Sequence, residues 1–267
     1  ARVGERLHRF ALGRAVMVYP TRAMAWAEKD TFAAFINPLA GWARALALAV
    51  GTPETVAPTP VTARLAAIWD ALQAQGLRYQ PDPTSPFGSA ELDLVNLPPE
   101  TLGAGGGDCD DLTALVATAF EAAGQATLII KQPRHVYLAV DSGLPSSAWP
   151  LFFPGPEHAL HHQGRLYLPV EATAVGRTFW DAMRDAGERM AAQLESRVLV
   201  DPRFAWTSTP PLEQPGNPLA ARVREQRVRV MVLGFSAAKG WESAARLAAR
   251  EVANTLARNA LLEVITE

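Results

Sequence analysis

The chain has little cysteine, little net charge and no long hydrophobic run. Its 267 residues include one cysteine, Cys109, so an intrachain disulfide is excluded and cysteine usage gives no information on the compartment. A formal net charge of −2 gives no support for a nucleic-acid partner. The apolar stretch from Ala43 to Val50 is interrupted by Arg44 and is too short to cross a bilayer. We therefore expect an ordinary soluble protein with one substantial core, no membrane span and no nucleic-acid partner.

The cysteine lies where a glycine-rich turn meets the start of a predicted helix. Asp108 follows Gly105-Gly106-Gly107 and is a natural N-cap, which makes Cys109 the first helical residue. Apolar residues then recur at helical spacing and predict an amphipathic helix that ends at Gly124: Leu112, Leu115, Val116, Ala119, Phe120 and Ala123. The helix dipole favours the thiolate of Cys109, whereas the charges of Asp110 and Asp111 oppose it. A small buried cysteine without a catalytic role is the alternative.

Of the five histidines, His135 is the candidate for a catalytic base. It opens the run 135–141, in which apolar and other residues alternate as in a strand. His158, His161 and His162 lie in a segment rich in proline and glycine and are predicted loop residues. No cysteine accompanies these three in the sequence, and we predict no zinc site there.

A second strand-like run, 165–171, has a glutamate at its end. Antiparallel pairing with the histidine-bearing run sets Glu171 opposite His135. The same register sets Arg165 opposite Asp141, so both pairs are chemically complementary. Directly opposed residues have Cβ atoms about 4.5–5.5 Å apart, within reach of an imidazole–carboxylate hydrogen bond. The pattern therefore predicts a histidine whose tautomer is fixed by a carboxylate, as in a Cys/His/acid triad.

Several motifs follow one another in a fixed order along residues 36–185: Ile68-Trp69-Asp70, Leu77-Arg78-Tyr79-Gln80-Pro81-Asp82-Pro83, Pro99-Glu100-Thr101-Leu102, the Gly-Gly-Asp-Cys-Asp-Asp segment, His135 at a strand start and Val170-Glu171-Ala172-Thr173 at a strand end. This order resembles the transglutaminase-like cysteine hydrolase superfamily. The resemblance implies an α+β fold with a papain-like core. In such a core the helix that carries the nucleophile packs on an antiparallel sheet that carries the histidine and the acid.

Carried over residue by residue, the resemblance implies that Cys109 is the nucleophile, His135 the general base and Glu171 the orienting acid. The acid is most often Asp in the family, within Val-Asp-Pro-Thr, whereas this chain has Val-Glu-Ala-Thr. The backbone N–H of Cys109 is the expected oxyanion donor. Asn96 is a further candidate donor, because some bacterial relatives carry a Gln at a comparable position. A turn residue before Leu-Pro-Pro is the alternative interpretation of Asn96.

The implied activity is acyl transfer on a peptide or protein substrate. We expect a thioester intermediate that water resolves, as in a peptidase or amidase. Resolution by an amine, as in a protein transglutaminase, is one alternative. Another is a non-catalytic scaffold of the same fold that binds a protein partner through its C-terminal helices. The chemistry needs no cofactor, although Asp108, Asp110 and Asp111 match acids that hold Ca²⁺ in some relatives; capping and salt bridging are the other interpretation of these three.

We predict four parts along the chain: an N-terminal extension at 1–35 with a strand at 15–19 and a helix near Asp30, the transglutaminase-like core at 36–185, a Pro-rich connection at 186–216 and a helical extension at 217–267. The segment 227–230 alternates and also fits a strand. Trp149, Phe152 and Phe153 are expected either to cover the substrate cleft or to pack on the core. The chain starts with Ala1, which a removed signal peptide or trimming to a domain explains equally well, so a periplasmic or secreted location is one of the options.

Overall fold

The computed structural model describes residues 2–3, 6–7, 22–26, 30–50, 61–81, 92–133, 135–192, 197–214, 228–232 and 262–266. The chain divides into two units, 1–216 and 217–267. Helices and antiparallel strands are combined in the first unit, which agrees with the predicted α+β class. Within the described residues, no helix has the length and apolar character needed to span a membrane.

The described helices and strands of the first unit follow in chain order: β1 (Arg2–Val3), β2 (Arg6–Leu7), β3 (Ala23–Ala25), α1 (Gly41–Val50), α2 (Val61–Gln73), β4 (Arg78–Tyr79), β5 (Leu92–Leu94), α3 (Pro98–Ala104), β6 (Gly106–Gly107), α4 (Cys109–Ala122), β7 (Thr127–Gln132), β8 (His135–Pro145), β9 (Leu160–His162), β10 (Arg165–Val170), α5 (Phe179–Ala192), β11 (Val198–Val200) and α6 (Pro202–Ala205). Short 3₁₀ helices lie at Asp30–Phe35, Ser146–Leu151, Pro156–His158 and Ala172–Ala174. The predicted helix near Asp30 is therefore a 3₁₀ helix, and the predicted strand at 15–19 lies outside the described residues.

A five-stranded antiparallel sheet in the order β11-β7-β8-β10-β9 forms the framework of this unit. Every residue of β7 and most of β8 are buried, so both faces of the sheet are covered. Helix α5 packs on one face, where it contributes buried apolar side chains to a cluster formed by Leu128, Ile130, Tyr137, Ala139, Leu160, Tyr167, Ala186 and Met190. The alternation of the strands thus provides one apolar layer for α5 and a second for the remaining helices.

Helix α4 is more deeply buried than the sequence pattern predicts. The pattern indicates an amphipathic helix, but residues 109–121 are all buried, including Asp110, Asp111 and Glu121. The physical reason is that α4 contacts α1, α2, α3 and β8, which cover it on all sides. The predicted end is confirmed: Gly124 has φ +82°, its N–H donates to Glu121, and the next N–H donates to Phe120.

The stretch after residue 185 belongs to the same packed unit. Helix α5 runs through the predicted boundary between core and connection, and β11 adds an edge strand to the sheet. The Trp206 indole N–H donates to the Ala33 carbonyl at 3.0 Å, and the Leu212 N–H donates to Ala34 at 2.7 Å. Residues 202–214 therefore pack against the 3₁₀ helix near the N-terminus.

The second unit has two described strands, β12 (Val228–Val232) and β13 (Leu262–Thr266), which pair in parallel. The strand alternative for 227–230 is thus supported, and the helical prediction is wrong for both segments. Both are rich in β-branched residues, which favour the extended backbone. The predicted apolar helical stripe between Ala244 and Leu261 lies outside the described residues.

Candidate active site

Cys109 is the first residue of helix α4, as predicted. Asp108 is the N-cap, and its carboxylate accepts a hydrogen bond from the Asp111 N–H at 3.5 Å. The first intrahelical bond runs from the Leu112 N–H to the Asp108 carbonyl at 3.1 Å. The N–H of Cys109 therefore precedes the hydrogen bonds of the helix and is oriented for an external acceptor. The residue is 9% exposed, at the edge of the core.

The three glycines before the N-cap meet three different constraints. Gly105 has φ +76° and is the C-cap of helix α3. A Cβ on Gly106 would lie 2.1 Å from the carbonyl oxygen of Arg78. A Cβ on Gly107 would lie 2.5 Å from Oδ2 of Asp111. The glycine run therefore allows strand β4 and the first turn of α4 to approach the segment that leads into the cysteine.

His135 and Glu171 meet, as the sequence analysis predicts. The ring Nε2 of His135 lies 2.8 Å from Oε2 of Glu171, and Glu171 is 4% exposed. His135 opens β8 opposite Gln132 of β7, and Glu171 follows the last residue of β10. Because Nε2 is engaged by the carboxylate, Nδ1 is the ring nitrogen left for a thiol proton.

The strand register that brings them together differs from the predicted one. Asp141 lies opposite Tyr167 and not opposite Arg165, a shift of two residues, with a bulge between Arg165 and Tyr167. Since side chains alternate along a strand, a shift of two keeps each on its face and makes the predicted pairs diagonal neighbours. Arg165 Nε accordingly lies 2.7 Å from Asp141 Oδ2, and the His135–Glu171 contact is also retained. The predicted register is wrong, and both predicted side-chain contacts are present.

The thiol of Cys109 lies against the first residues of β8. The backbone N–H of Val136 donates a hydrogen bond to the sulfur, a contact that favours the thiolate. The hydroxyl of Thr113, one turn further along α4, donates to the Val136 carbonyl at 3.1 Å. Helix α4 therefore holds both backbone groups of the residue next to His135. This fixes the strand start relative to Cys109.

Glu171 is surrounded by groups that favour its charge. Thr173 donates its hydroxyl to Oε1 at 2.7 Å and its backbone N–H to the same atom at 3.2 Å. Arg189 Nε lies 3.2 Å from Oε2, the atom that also contacts His135. Burial alone would raise the pKa of Glu171, but the hydrogen bonds from His135 and Thr173 and the charge of Arg189 hold it below its ordinary value.

On the helix side of the thiol, three carboxylates lie together. Asp93, Asp108 and Asp110 each bring one ligand oxygen within 4.8 Å of the others. Asp110 is 1% exposed, and its Oδ2 has no hydrogen-bond donor among the described residues. Burial, and then the neighbouring Asp108, raise the pKa of Asp110 well above its ordinary value. Burial and then the charges of Asp110 and Asp108 also raise the pKa of the Cys109 thiol.

Asp111 is not part of this cluster, contrary to the predicted Ca²⁺ trio. Its carboxylate accepts the Asn96 backbone N–H at 2.6 Å and the Asn96 side-chain amide at 2.7 Å. This pair ties the segment after β5 to the first turn of α4, and Asp93 of β5 takes the third place beside Asp108 and Asp110. The amide that was a candidate oxyanion donor is therefore bonded to Asp111. Its geometry indicates a structural role.

Tyr79 of β4 lies near the site, although no pattern in the sequence predicted a role for it. It is in register with Gly107, whose Cβ direction leads to Asp111 in the first turn of α4. The side chain of Tyr79 is 50% exposed, and its pKa is raised by burial and by the negative charges of the site, with Cys109 first and Glu171 among them. A half-exposed phenol therefore lies close enough to Cys109 and Glu171 for their charges to act on it.

The histidines of the segment 158–162 have ordinary partners. His161 Nε2 lies 3.0 Å from the Pro156 carbonyl oxygen, and the His162 ring packs edge-on against Tyr167. In the part of the chain that the structure describes, no group of three metal-type ligands includes these histidines. The segment is thus attached to the sheet by backbone and aromatic contacts.

The apolar loop between β8 and β9 contributes to the core. Phe153 is 8% exposed, and its ring approaches Gly187 of α5 so closely that a Cβ there would lie 3.0 Å from it. Phe153 therefore packs on α5, which is one of the two expected roles for this loop. Leu151 of the same loop is 73% exposed.

Comparison with protein-family models, with curated proteins and with solved structures gave no match. The chemistry of this site is therefore inferred from its own geometry and from the order of its motifs.

Proposed function

We propose that this chain is a cysteine-dependent acyl-transfer enzyme of the transglutaminase-like type. It acts on peptide or amide bonds through Cys109, His135 and Glu171. The observation that carries the proposal is the hydrogen bond of 2.8 Å between His135 Nε2 and a buried carboxylate, together with a thiol at a helix start that contacts the backbone of Val136, the residue after His135. Contact between α4 and β8 of the sheet supports a papain-like core.

In the proposed reaction, His135 Nδ1 accepts the proton of the Cys109 thiol, and the thiolate attacks the carbonyl carbon of the substrate. The carbonyl oxygen then carries the negative charge. The backbone N–H of Cys109 is one donor to this oxyanion, and the hydroxyl of Tyr79 is a second candidate. Glu171 remains ionised and stabilises the imidazolium in one orientation.

The carbon–nitrogen bond then breaks, and the imidazolium gives its proton to the leaving amine. A thioester on Cys109 remains. Water, deprotonated by His135, attacks this thioester, releases the carboxylic acid and restores the thiol. A primary amine in place of water would give transamidation. We favour hydrolysis, because microbial members with a Gly-Asp-Cys-Asp-Asp pattern resemble hydrolases.

The proposed mechanism needs the negative charge of the acidic cluster beside Cys109 to be offset, by a bound cation or by a proton. Carboxylate oxygens are the ligands that Ca²⁺ prefers, and the unpaired Oδ2 of Asp110 suits such a ligand. Asp93, Asp108 and Asp110 would hold the ion, whose charge would offset theirs and favour the thiolate. A proton shared by Asp108 and Asp110 is the alternative. A Ca²⁺ titration followed by thermal unfolding separates the two, because an Asp93→Asn variant loses a response to Ca²⁺ but keeps a shared proton.

A non-catalytic binding scaffold is the second candidate, and the state of the thiol favours it. Cys109 is 9% exposed, and burial together with Asp110 and Asp108 raises its pKa. A structural cysteine would have the same burial. A binding scaffold does not explain the buried contact between His135 and Glu171. The two candidates are distinguished by whether the Cys109 thiol forms an acyl adduct.

The decisive experiment traps the acyl-enzyme. The full chain is incubated with N-acetyl-phenylalanine 4-nitrophenyl ester, quenched in acid and analysed by mass spectrometry. We expect an acetyl-phenylalanyl adduct on Cys109, no adduct in Cys109→Ala, and acylation at least about 10²-fold slower in His135→Ala. His161→Ala is the matched control, because this exposed imidazole lies 3.0 Å from a backbone carbonyl oxygen, that of Pro156. An unmodified wild-type thiol, or equal rates in the two histidine variants, contradicts the proposal.

The acceptor is tested separately with a peptide library, with and without an added primary amine. Hydrolysis or deamidation alone, in both conditions, supports a peptidase or amidase. Incorporation of the amine as the main product identifies a transglutaminase and overturns the preference for water.

A further inference from the structure

Helix α5 contacts Glu171 at two places. Its Ala182 carbonyl accepts the backbone N–H of Glu171 at 3.0 Å, and Arg189 Nε lies 3.2 Å from Oε2 of the same residue. Residues seven apart are separated by two helical turns and share a face. Long side chains on a helix lean toward its N-terminus, which is the direction that Arg189 needs to reach Glu171. One helix therefore fixes both the main chain and the carboxylate of the acid.

The helix itself is firmly packed at this point. Ala186 and Met190 flank Arg189 on the buried side and are fully buried against the sheet. Gly187 is in close contact with Phe153 and with the carbonyl of His158. The Cα of Arg189 thus lies on a rigid element, and only the side chain has conformational freedom.

Arg189 and His135 share one oxygen of the carboxylate in different ways. His135 Nε2 forms a hydrogen bond with Oε2, whereas Arg189 Nε is within ion-pair distance but is not aligned for a hydrogen bond. The arginine therefore adds positive charge beside Oε2 without taking the hydrogen bond from the histidine.

We propose that Arg189 is a positioning residue that keeps Glu171 ionised and in place while His135 alternates between imidazole and imidazolium. The inference rests on the proposed function. When His135 is neutral, burial opposes the charge of Glu171, and Arg189 and Thr173 are the groups that still compensate it. The proton taken from the thiol therefore stays on the imidazole and reaches the leaving amine, because the carboxylate beside Arg189 is a poor acceptor for it.

The test compares Arg189→Met with Arg189→Lys in single-turnover acylation by the 4-nitrophenyl ester. We expect Arg189→Met to acylate about ten-fold more slowly, the size of one lost interaction with a charged group, at an unchanged half-saturating ester concentration. Arg189→Lys restores most of the rate, because it keeps the charge. Arg184→Met is the matched control: Arg184 lies on the same helix and pairs with Asp181, away from the site.

A second measurement separates positioning from a general structural role. In the Glu171→Gln background, Arg189→Met should have no further effect on the residual rate, because its action passes through the carboxylate. An equal loss in that background, or a wild-type rate in Arg189→Met, overturns the inference and leaves the proposed function intact. If Arg189→Met does not fold, Arg189→Lys and Arg189→Gln, compared at equal thermal stability, give the same contrast. An unreactive wild-type thiol overturns both proposals.

Discussion

Two buried carboxylates, those of Glu171 and Asp110, act on Cys109 and have opposite electrostatic properties. Glu171 is 4% exposed and Asp110 is 1% exposed, so burial opposes the charge of both. Glu171 nevertheless has a lowered pKa, whereas Asp110 has a strongly raised one. Burial acts on both acids in the same direction, so the opposite signs of their pKa shifts come from their partners.

The partners differ in kind. Glu171 receives two hydrogen bonds from Thr173, one from His135 and the charge of Arg189. Asp110 accepts one backbone N–H, and the carboxylates of Asp108, Asp111 and Asp93 add to the effect of burial in raising its pKa. Glu171 is thus arranged to stay anionic beside His135, while the Asp110 cluster is arranged to take up a proton or a cation. The charges of Asp110 and Asp108 disfavour the thiolate of Cys109, whereas the proposed mechanism gives the thiol a base in His135.

Among the variants that test this difference between Glu171 and Asp110, Glu171→Gln is expected to have the largest effect. The amide keeps the size of the side chain but removes the charge that orients His135, so we expect acylation of Cys109 to fall by about 10³- to 10⁴-fold. Stopped-flow release of 4-nitrophenol measures the rate. Glu157→Gln, at a half-exposed glutamate paired with His158, should leave it unchanged. A loss smaller than about ten-fold would mean that the anionic state of Glu171 is not needed.

The contrast also predicts stability effects of opposite sign. A lowered folded-state pKa means that ionised Glu171 stabilises the fold above about pH 4.3, its unfolded value, and that this contribution is lost as the pH falls through the folded value. A raised folded-state pKa means that ionisation of Asp110 costs stability, and that this cost appears as the pH rises above about 3.9. At pH 7, Glu171→Gln should therefore destabilise and Asp110→Asn should stabilise, each by about 1–3 kcal/mol.

Urea unfolding between pH 3 and pH 8 in the presence of a chelator measures both effects, and both differences should shrink in acid. If both variants were more stable than the wild type at pH 7, or both less stable, the predicted difference between Glu171 and Asp110 would be contradicted. Asp185→Asn, at a partly exposed carboxylate paired with Arg177, is the control for a simple change of net charge.

A third prediction concerns the thiol itself. Asp110→Asn removes the charge that most disfavours the thiolate after burial, while the amide oxygen can still accept the Asp111 N–H. In a chelator, at a pH high enough for Asp110 to be ionised, alkylation of Cys109 by iodoacetamide should become about ten-fold faster, the effect of one charge at close range. In Ca²⁺ the advantage should disappear if the cluster holds the ion. A slower reaction of the variant without Ca²⁺ would show that Asp110 assists the thiolate.

Local signals in the sequence predicted part of this site. The N-cap at Asp108 and the stop at Gly124 depend on neighbouring residues, so the start and end of α4 could be predicted. The His135–Glu171 contact was predicted despite the wrong register, because an error of two residues leaves each side chain on the same face of the sheet. The register itself depends on a bulge between Arg165 and Tyr167, which no local pattern indicates.

Groups that tertiary packing brings together could not be predicted in this way. Asp93 joins the acidic cluster because Asp111 binds Asn96 and fixes the segment after β5. Arg189 reaches Glu171 from a helix whose docking depends on the whole sheet face. The full burial of α4 likewise depends on three other helices, while its own sequence shows only one apolar stripe.

The smallest predicted effect sharpens the description of Glu171. Thr173→Val removes the hydroxyl that donates to Oε1 at 2.7 Å but keeps the backbone N–H at 3.2 Å and the contacts of Oε2. We expect a loss of about 1 kcal/mol in unfolding free energy at pH 7 and at most about a five-fold slower acylation. Thr207→Val, whose hydroxyl donates to the Phe204 carbonyl on the surface, is the control. If acylation were as slow in Thr173→Val as in Glu171→Gln, the Thr173 hydroxyl would be what positions Glu171. The contacts of Oε2 with His135 and Arg189 would then not be sufficient.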